Sequence, residues 1–471
     1  MSSLIYIITF LILISSINIG TINIIATINR IKSSNKPLRA RKELKNNVSI
    51  GIFIPTYNEG AHAEKVIEHI SKIEEARLKN IDCKIYILDD SNDGSTDLIR
   101  TILDATDFKN PVFIIHRDNR DKFKAGALNN AIKNTDFDYI AVFDSDFHVD
   151  FEFITESIVE LESNSNIAFT QGLWGFTNRD ENNLTKAQGY LLDYHFMVMQ
   201  NFKSEAFGMP HFNGTGGVWR ASVLKEIGGW SGNTVSEDVE TSYKAFLRGF
   251  TAKYIETRPL ISELPNNFSA YATQQSRWAA GTAGCFKIYI KDLLTSPCLP
   301  FLMKMTAVAH LSSYFFSVFI VFMVTILLGC ELLNIAIDKQ IKYMFFMIWG
   351  FSSMQYIGMI CNSLLLNDSK VRTLLSTIRI YSIGAALIPA LFVAVIKGIF
   401  LTNSIVFERT PKNSSRSIGK KNLFTNSFSL VWLLITILMA GYSLENNNLF
   451  GFIVFLSFAC YPVVFRQNEA P

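Results

Sequence analysis

The separation of charged residues from long apolar segments limits the possible folds of this sequence more than any other feature. Residues 1–29 contain no charged side chain, residues 30–298 have the mixed composition of a globular domain, and from residue 299 the chain is mostly apolar. A membrane-spanning helix needs about 20 mainly apolar residues, which residues 4–28 provide. No basic residue precedes this segment and no small-residue cleavage site follows it, which favours a retained anchor over a signal peptide.

We therefore predict an N-terminal transmembrane helix at 1–29, a globular domain at 30–298 and a C-terminal transmembrane region at 299–471. Further candidate spans are residues 307–329, 343–366, 378–400, 428–442 and 449–465. Charged residues make up 18% of the chain, against about 25% in soluble domains. The net charge of +3 indicates no nucleic-acid partner, and the six cysteines lack the C-x-x-C spacing of a zinc site.

The basic loops predict the orientation, since they face the cytoplasm. Seven basic residues lie between Arg30 and Lys45, opposed only by Glu43, which places the globular domain in the cytoplasm. A second basic loop at 409–421 would also be cytoplasmic. If 378–400 crossed fully, that loop would lie outside; we therefore expect this segment, which contains Pro389, to be an interfacial or re-entrant helix. Failure of a neighbouring segment to cross is the alternative.

The globular part alternates predicted strands with predicted helices. The strands are residues 48–54, 84–88, 112–116 and 139–143, and the helices are residues 64–75, 96–105 and 125–134. This order is typical of an α/β fold with a mainly parallel sheet. Polar clusters follow three of the strands, and in such sheets ligands bind at the carboxyl ends of strands.

Asp144-Ser-Asp146 follows an apolar strand, and two carboxylates at this spacing can share one Mg²⁺ together with substrate phosphates. A solvated acidic turn is the alternative. Lys124, near a predicted helix start, suits an anionic phosphate, or else belongs to a solvated basic face. Arg277 could pair with a diphosphate and Trp278 could stack on a sugar, although an aromatic residue beside a cation is also typical of a membrane interface.

The ordered set of motifs is more specific than any one of them. The motifs are Pro55-Thr-Tyr-Asn-Glu59, Asp89-Asp90, Lys124-Ala-Gly-Ala-Leu128, Asp144-Ser-Asp146, Phe212-Asn-Gly-Thr-Gly216, Ser236-Glu-Asp238 and Gln274-Gln-Ser-Arg-Trp278. This set resembles the processive inverting glycosyltransferases of the cellulose synthase and cellulose synthase-like (glucomannan synthase) group. The resemblance implies a Rossmann-like α/β GT-A glycosyltransferase domain in the cytoplasm, joined to a multi-pass α-helical transmembrane region in the cell membrane.

The resemblance also implies roles for individual residues. Asp238 would be the general base, and Asp144 and Asp146 would hold the donor and a metal ion, Mg²⁺ or Mn²⁺. The donor-binding residues would be Thr56, Tyr57, Glu59, Asp90, Lys124 and Asp144. The acceptor and diphosphate residues would be Gln275, Arg277 and Trp278. A gating loop at about 401–424 would contain Phe407, Arg409, Thr410 and Lys412.

The sequence departs from the family pattern at three positions: Ser236 replaces a threonine, Glu240 an aspartate, and Leu173 an arginine. The implied reaction is hexose transfer from UDP-glucose or GDP-mannose to a growing β-linked glycan acceptor, with the product crossing the membrane. The alternative is a single transfer to a lipid, such as ceramide or polyprenyl phosphate. Membrane lipids would be partners, nucleic acid would not, and the sequence leaves oligomeric state and accessory subunits open.

Overall fold

The computed structural model describes residues 2–33, 44, 47–59, 80–106, 108, 110–333, 335, 337–401, 434–443 and 445. The predicted helix at 64–75, the predicted span at 449–465 and the gating-loop residues lie outside the described residues. So do most of the basic residues used to predict the orientation.

A mixed sheet forms the centre of the globular domain. Its strands are β1 (Val48–Thr56), β2 (Ile81–Asp89), β3 (Val112–His116), β4 (Tyr139–Val142), β5 (Ile167–Phe176), β6 (Gly217–Arg220) and β7 (Thr251–Ser262). The seven strands lie in the order β3-β2-β1-β4-β6-β5-β7. β6 is antiparallel to both of its neighbours, and the other four pairings are parallel.

The four predicted strands are present at nearly the predicted positions, and the structure adds β5, β6 and β7. Strand β6 has only four residues and follows a glycine-rich loop, so it lacks a periodic pattern of its own. It is a strand because it pairs with both β4 and β5. This pairing depends on residues distant in sequence, which explains why local patterns did not predict it.

Helices cover both faces of the sheet. They are α2 (Ser95–Asp104), α3 (Phe123–Asn134), α4 (Phe151–Ser163), α5 (Asn183–Asp193), a π-helix (Tyr194–Gln200), α6 (Asn201–Phe207), α7 (Ala221–Glu226), α8 (Glu237–Leu247) and α9 (Phe268–Thr295). In β1, Ile50 and Ile52 belong to the apolar cluster on one face, and Phe53 belongs to the cluster on the other. A strand with alternating residues buried on both sides must lie at the centre of a layered domain.

The parallel strands bring the predicted motifs to one edge of the sheet. In the register, Thr56 lies opposite Asp89, and Asp89 lies opposite His116. Strand β4, on the other side of β1, ends directly before the Asp144-Ser-Asp146 turn. The carboxyl ends of β1, β2 and β4 therefore place these motifs side by side.

Apolar helices precede and follow this domain. They are α1 (Ser2–Ser33), α10 (Phe301–Leu311), α11 (Phe315–Leu332), α12 (Lys339–Ser352), α13 (Met354–Leu365) and α14 (Lys370–Phe400), with a shorter apolar helix at Leu434–Ser443. Among the described residues, three helical segments are long and apolar enough to cross a membrane: 5–33, 339–365 and 370–400. The pair α10 and α11, which covers the predicted span 307–329, is bent by 62° and could form a fourth.

Helix α14 continues through Pro389, so this proline does not interrupt the helix as the sequence suggested. Its 31 residues are sufficient to cross a membrane by length and composition, and its interfacial placement stays a prediction. It packs closely on α9, because a Cβ atom on Gly398 would lie 2.2 Å from the carbonyl oxygen of Ala280. The apolar helix α14 and the globular domain are therefore directly packed together.

Candidate active site

A cleft opens at the carboxyl edge of the sheet, between the strands and helices α8 and α9. Its walls contain ten of the predicted site residues: Thr56, Tyr57, Glu59, Asp90, Lys124, Asp144, Asp146, Asp238, Arg277 and Trp278. These residues come from six sequence motifs that span more than two hundred positions. The fold therefore brings together the side chains that the sequence motifs singled out.

At one end of the cleft, Asp90 is held by an arginine that the sequence analysis did not single out. Arg117 donates two hydrogen bonds to this carboxylate, from Nε to Oδ1 at 2.7 Å and from Nη2 to Oδ2 at 2.5 Å. Both side chains are largely buried. The guanidinium of Arg120 stacks over the Tyr57 ring, 3.2 Å from its centroid. The basic residues at 117–124, where α3 begins, are the sequence signal that could have identified both arginines.

The neighbouring Asp89 is part of the scaffold beneath this end of the cleft. Its side chain is buried and accepts hydrogen bonds from Thr56 Oγ1 at 3.2 Å and Thr96 Oγ1 at 2.5 Å, and it contacts His116 Nδ1 at 3.0 Å. Burial raises the pKa of Asp89, but its hydrogen bonds with Ser91, Thr96 and His116 outweigh burial and the net pKa is lowered. An ionised Asp89 thus fixes the ends of β1, β2 and β3 together.

In the middle of the cleft, Lys124 joins the acidic turn to the glycine-rich loop. Its Nζ lies 2.5 Å from Asp144 Oδ1 and donates to the carbonyl oxygen of Gly214 at 2.9 Å. Burial lowers the pKa of Lys124, but the negative charges of Asp144 and Glu237 outweigh it, so the net pKa is raised and the lysine is charged. A fixed cation at the first turn of α3 suits an anionic ligand.

The two carboxylates of the acidic turn are suited to a divalent cation. Asp146 Oδ2 accepts a hydrogen bond from Ser262 Oγ at 2.6 Å, and Ser145 Oγ donates to Glu59 at 2.9 Å, so the turn is anchored on both sides. Their hard oxygen atoms match the preference of Mg²⁺ and Mn²⁺. In the part of the chain that the structure describes, no three His, Cys, Asp or Glu residues gather as a metal site. An ion on Asp144 and Asp146 would therefore need further ligands, which substrate phosphates can supply.

Asp238, the predicted base, lies in the first turn of α8. Burial, followed by the negative charge of Glu237, raises the pKa of Asp238 to about 7. Such a carboxylate is partly protonated at neutral pH and can accept a proton there. The left-handed Gly214 (φ 85°) borders it, since a Cβ atom at this position would lie 3.2 Å from Asp238 Oδ2.

Ser236 directly precedes α8, but its side chain makes no capping hydrogen bond to the helix. It instead packs against α9, where a Cβ atom on Gly281 would lie 2.0 Å from Ser236 Oγ. This close approach places the first turn of α8 directly against α9. Helix α9, which carries Gln275, Arg277 and Trp278, continues to Thr295.

Beside the cleft lies a second space, which we call the inner cavity, and helix α9 contributes to the walls of both. Arg277 lines the cleft, and Trp278 lines both spaces, as Asp238 does. Gln275 lines only the inner cavity, where it accepts a hydrogen bond from Tyr314 at 3.2 Å. The inner cavity extends between the apolar helices and is lined by residues of α1, α10, α13 and α14.

The glycine-rich loop between the cleft and the inner cavity is held by two buried glutamines. Gln171 Nε2 donates to the carbonyl oxygens of Thr215 and Gly216 at 3.1 and 3.0 Å. Gln200, the last residue of the π-helix, donates to the Asn213 side chain at 2.6 Å. Sequence analysis did not identify Gln200, because no local pattern marks a π-helix, a feature frequent at functional sites.

Comparison with known proteins agrees with this architecture. Residues 47–281 match the family described as glycosyltransferase like family 2. Glucomannan 4-beta-mannosyltransferase 7 of Arabidopsis thaliana is 37% identical over 251 residues, which are 52% of this chain and 44% of that protein. A probable glucomannan 4-beta-mannosyltransferase 7 of Oryza sativa subsp. japonica is 33% identical over 307 residues, 64% of this chain and 51% of that protein.

The chain spans about half the length of the curated relatives it matches. Among solved structures, a mannosyltransferase from Pyrobaculum calidifontis in complex with GDP-Man and Mn²⁺ superposes with a TM-score of 0.50 at 14% identity. The match covers 81% of this chain and 99% of that one, and it supports the GT-A fold. Residues 47–281 therefore belong to glycosyltransferase like family 2, and the similarity to these relatives supports the cellulose synthase-like glucomannan synthase group.

Proposed function

We propose that this protein is a membrane-embedded inverting glycosyltransferase that transfers a hexose from a nucleotide-diphosphate sugar to a growing β-linked glycan. The observation that carries the proposal is the position of Asp238. This carboxylate lines the cleft, which also contains Lys124 and the acidic turn. It also lines the inner cavity between the apolar helices. A donor sugar in the cleft and an acceptor in the inner cavity would meet at Asp238.

The reaction is a displacement at the anomeric carbon, in which an acceptor hydroxyl attacks and a nucleoside diphosphate departs. Asp238 accepts the hydroxyl proton as the new bond forms, and its pKa of about 7 suits this role at neutral pH. Lys124 and Arg277 stabilise the charge that develops on the departing diphosphate. Attack on the face opposite the leaving group inverts the configuration, so an α-linked donor gives a β-linked product.

Asp144 and Asp146 would hold Mg²⁺ or Mn²⁺ in this scheme. A bound cation would supply electrostatic neutralisation of the diphosphate. Lys124, which pairs with Asp144, would supply a further positive charge beside the diphosphate. Thr56, Tyr57, Glu59 and Asp90 would contact the nucleoside.

GDP-mannose is the first donor to test, and UDP-glucose is the alternative. The two plant relatives described above are named as mannosyltransferases, and the Pyrobaculum structure contains GDP-Man. We also propose that the product enters the inner cavity and crosses the membrane there. A glycan cannot cross hydrocarbon unaided, because its hydroxyl groups would lose their hydrogen bonds. Gln275, Tyr314 and Tyr356 give the cavity polar and aromatic walls that suit a sugar chain.

The decisive experiment measures release of nucleoside diphosphate from each donor by the full-length protein and its Asp238→Asn variant. We expect a loss of about 10²-fold or more, since a positioned base contributes that much. The matched control is Asp136→Asn, an exposed aspartate paired with Lys225 away from the cleft. Retention of at least a tenth of the rate by Asp238→Asn would remove Asp238 from the mechanism.

Sizing of the labelled product separates chain synthesis from a single transfer. A ladder of β-linked products supports the proposal. A product with only one added sugar on a lipid would instead establish the single-transfer alternative.

A further inference from the structure

Four basic side chains from four separate elements meet on one wall of the inner cavity. They are His195 of the π-helix, Lys203 of α6, His211 of the loop before β6, and His310 of α10. Lys203 Nζ donates to His211 Nδ1 at 2.6 Å, the His211 ring stacks on the His310 ring at 4.0 Å, and the His195 ring lies 5.3 Å from His211. We call this set the basic cluster.

The basic cluster has no acidic partner among the described residues. None of its four members forms a salt bridge there, and their remaining side-chain hydrogen bonds go to neutral groups. Asn213 Nδ2 donates to His195 Nε2 at 3.2 Å, and Tyr243 shares a hydrogen bond of 2.8 Å with His310 Nδ1. Lys203 is only 4% exposed. A buried lysine is normally paired with a carboxylate, because an isolated buried charge is costly.

The hydrogen bonds also determine which donors the cluster offers. A charged Lys203 can only donate, so His211 then accepts on Nδ1 and its neutral ring carries a proton on Nε2. His195 receives the Asn213 amide on Nε2, so its neutral ring carries a proton on Nδ1. Lys203 uses one of its three N–H groups on His211 within the described structure. The wall therefore combines an ammonium group with imidazole N–H donors, a set that suits carboxylate or phosphate oxygens.

The protonation states of the cluster would be coupled to anion binding. Burial lowers the pKa of Lys203 to about 7. Burial and then the Lys203 charge lower the pKa of His195 to about 3, and the same causes lower that of His211 well below its usual value. An anion placed against these groups would favour their charged forms, so its binding would be accompanied by proton uptake.

We propose that the basic cluster is a binding site for an anionic group, a carboxylate or a phosphate, carried by an acceptor that occupies the inner cavity. The assignment of the anionic group to an acceptor rests on the proposed function, whereas the anion site itself does not. Asp238, the carboxylate that shares this cavity, also lines the cleft, so the anionic group would lie on the acceptor side of the transfer site. Acceptors would then be uronate-containing chains or molecules that carry a phosphate ester.

The test measures binding to the full-length, detergent-solubilised protein by calorimetry, without turnover, so its outcome is independent of the hexosyltransferase assay. The probes are glucuronate, inorganic phosphate and neutral glucose, and GDP is added to fill the donor site. Lys203→Met removes the cation and keeps the length of the side chain. The control is Lys225→Met, which removes a lysine that is 47% exposed and lies outside the cavity.

We expect at least one anion to bind the wild-type protein. Its affinity should be at least tenfold weaker in Lys203→Met and unchanged in Lys225→Met. Titrations in two buffers of different ionisation heat should show proton uptake in the wild-type protein. Binding of glucuronate alone would indicate a uronate, and binding of phosphate alone a phosphate ester. The proposal is overturned if neither anion binds, if glucose binds as tightly, or if Lys203→Met has no effect.

A second variant covers the case in which Lys203→Met does not fold. His310→Asn keeps a hydrogen-bonding side chain but removes the ring that stacks on His211. It should weaken binding of the same anion and leave binding of GDP unchanged. Unchanged anion binding in a folded His310→Asn protein would also count against the proposed site.

Discussion

Glu237→Gln should move the acidic limb of the pH–activity profile to lower pH. In the proposed mechanism Asp238 must be ionised to accept the acceptor proton. Burial is the larger cause of its raised pKa, and the negative charge of Glu237 is the second. The substitution removes that charge and keeps the shape of the side chain, so ionisation of Asp238 becomes easier.

The structure sets the size of the effect in the wild-type protein. The pKa of Asp238 rises from 3.8 to about 7, so the carboxylate is about one-tenth ionised at pH 6. The value of kcat/KM should therefore fall roughly tenfold for each pH unit below 7. In Glu237→Gln, the ratio of the rate at pH 6 to the plateau rate should be larger than in the wild-type protein. Burial remains in the variant, so its acidic limb should still lie above the ordinary range of an aspartate.

The assay is release of nucleoside diphosphate between pH 5 and pH 9, about two pH units on each side of the raised pKa, with each variant normalised to its own plateau. Glu226→Gln is the matched control, because this exposed glutamate at the end of α7 lies outside the cleft. A wild-type limb below pH 5 would refute the assignment of the raised pKa to the base. The electrostatic reasoning would be refuted if the acidic limb moved to higher pH in Glu237→Gln, or if it moved by the same amount in Glu226→Gln.

Three further predictions concern the loop, the buried ion pair and the metal. Gly214→Ala should reduce turnover about tenfold or more, because it adds a Cβ atom 3.2 Å from Asp238. Gly94→Ala is the control and should not reduce turnover, because Gly94 has a similar φ of 86° but open space around it. Arg117→Met should lower the free energy of unfolding by about 3–5 kcal/mol in denaturant titrations, and Asp90→Asn in the same chain should recover part of it, since a buried carboxylate would no longer be left unpaired. A chelator should abolish release of nucleoside diphosphate and Mn²⁺ should restore it; full activity after chelation would exclude the metal from the mechanism.

The accuracy of the sequence predictions depended on how local each signal was. Strand β3 was predicted at its observed bounds, and β1 was predicted two residues short, because each has a local apolar pattern bounded by polar residues. Strand β6 and the π-helix were not predicted. Their backbone conformations depend on partners elsewhere in the chain: β6 pairs with β4 and β5, and Gln200 holds the glycine-rich loop.

The candidate site shows the same division. Asp144, Asp146, Asp238 and Trp278 were predicted as site residues through the resemblance of the ordered motifs to a known family, because each motif alone left an alternative open. Their shared cleft is a property of the fold. Gln275 illustrates the limit, since it lies beside cleft residues in sequence but lines the inner cavity.

The sequence by itself determined the division into apolar and globular parts and the α/β class, because these follow from composition and short-range pattern, and its ordered motifs supplied the candidate residues through their resemblance to a family. Only the tertiary structure decided the electrostatic character of those residues. The raised pKa of Asp238 and the lowered pKa of Lys203 require burial, and burial is produced by elements distant in sequence. The basic cluster exists for the same reason, since His195, Lys203, His211 and His310 form no motif until folding brings them to one wall.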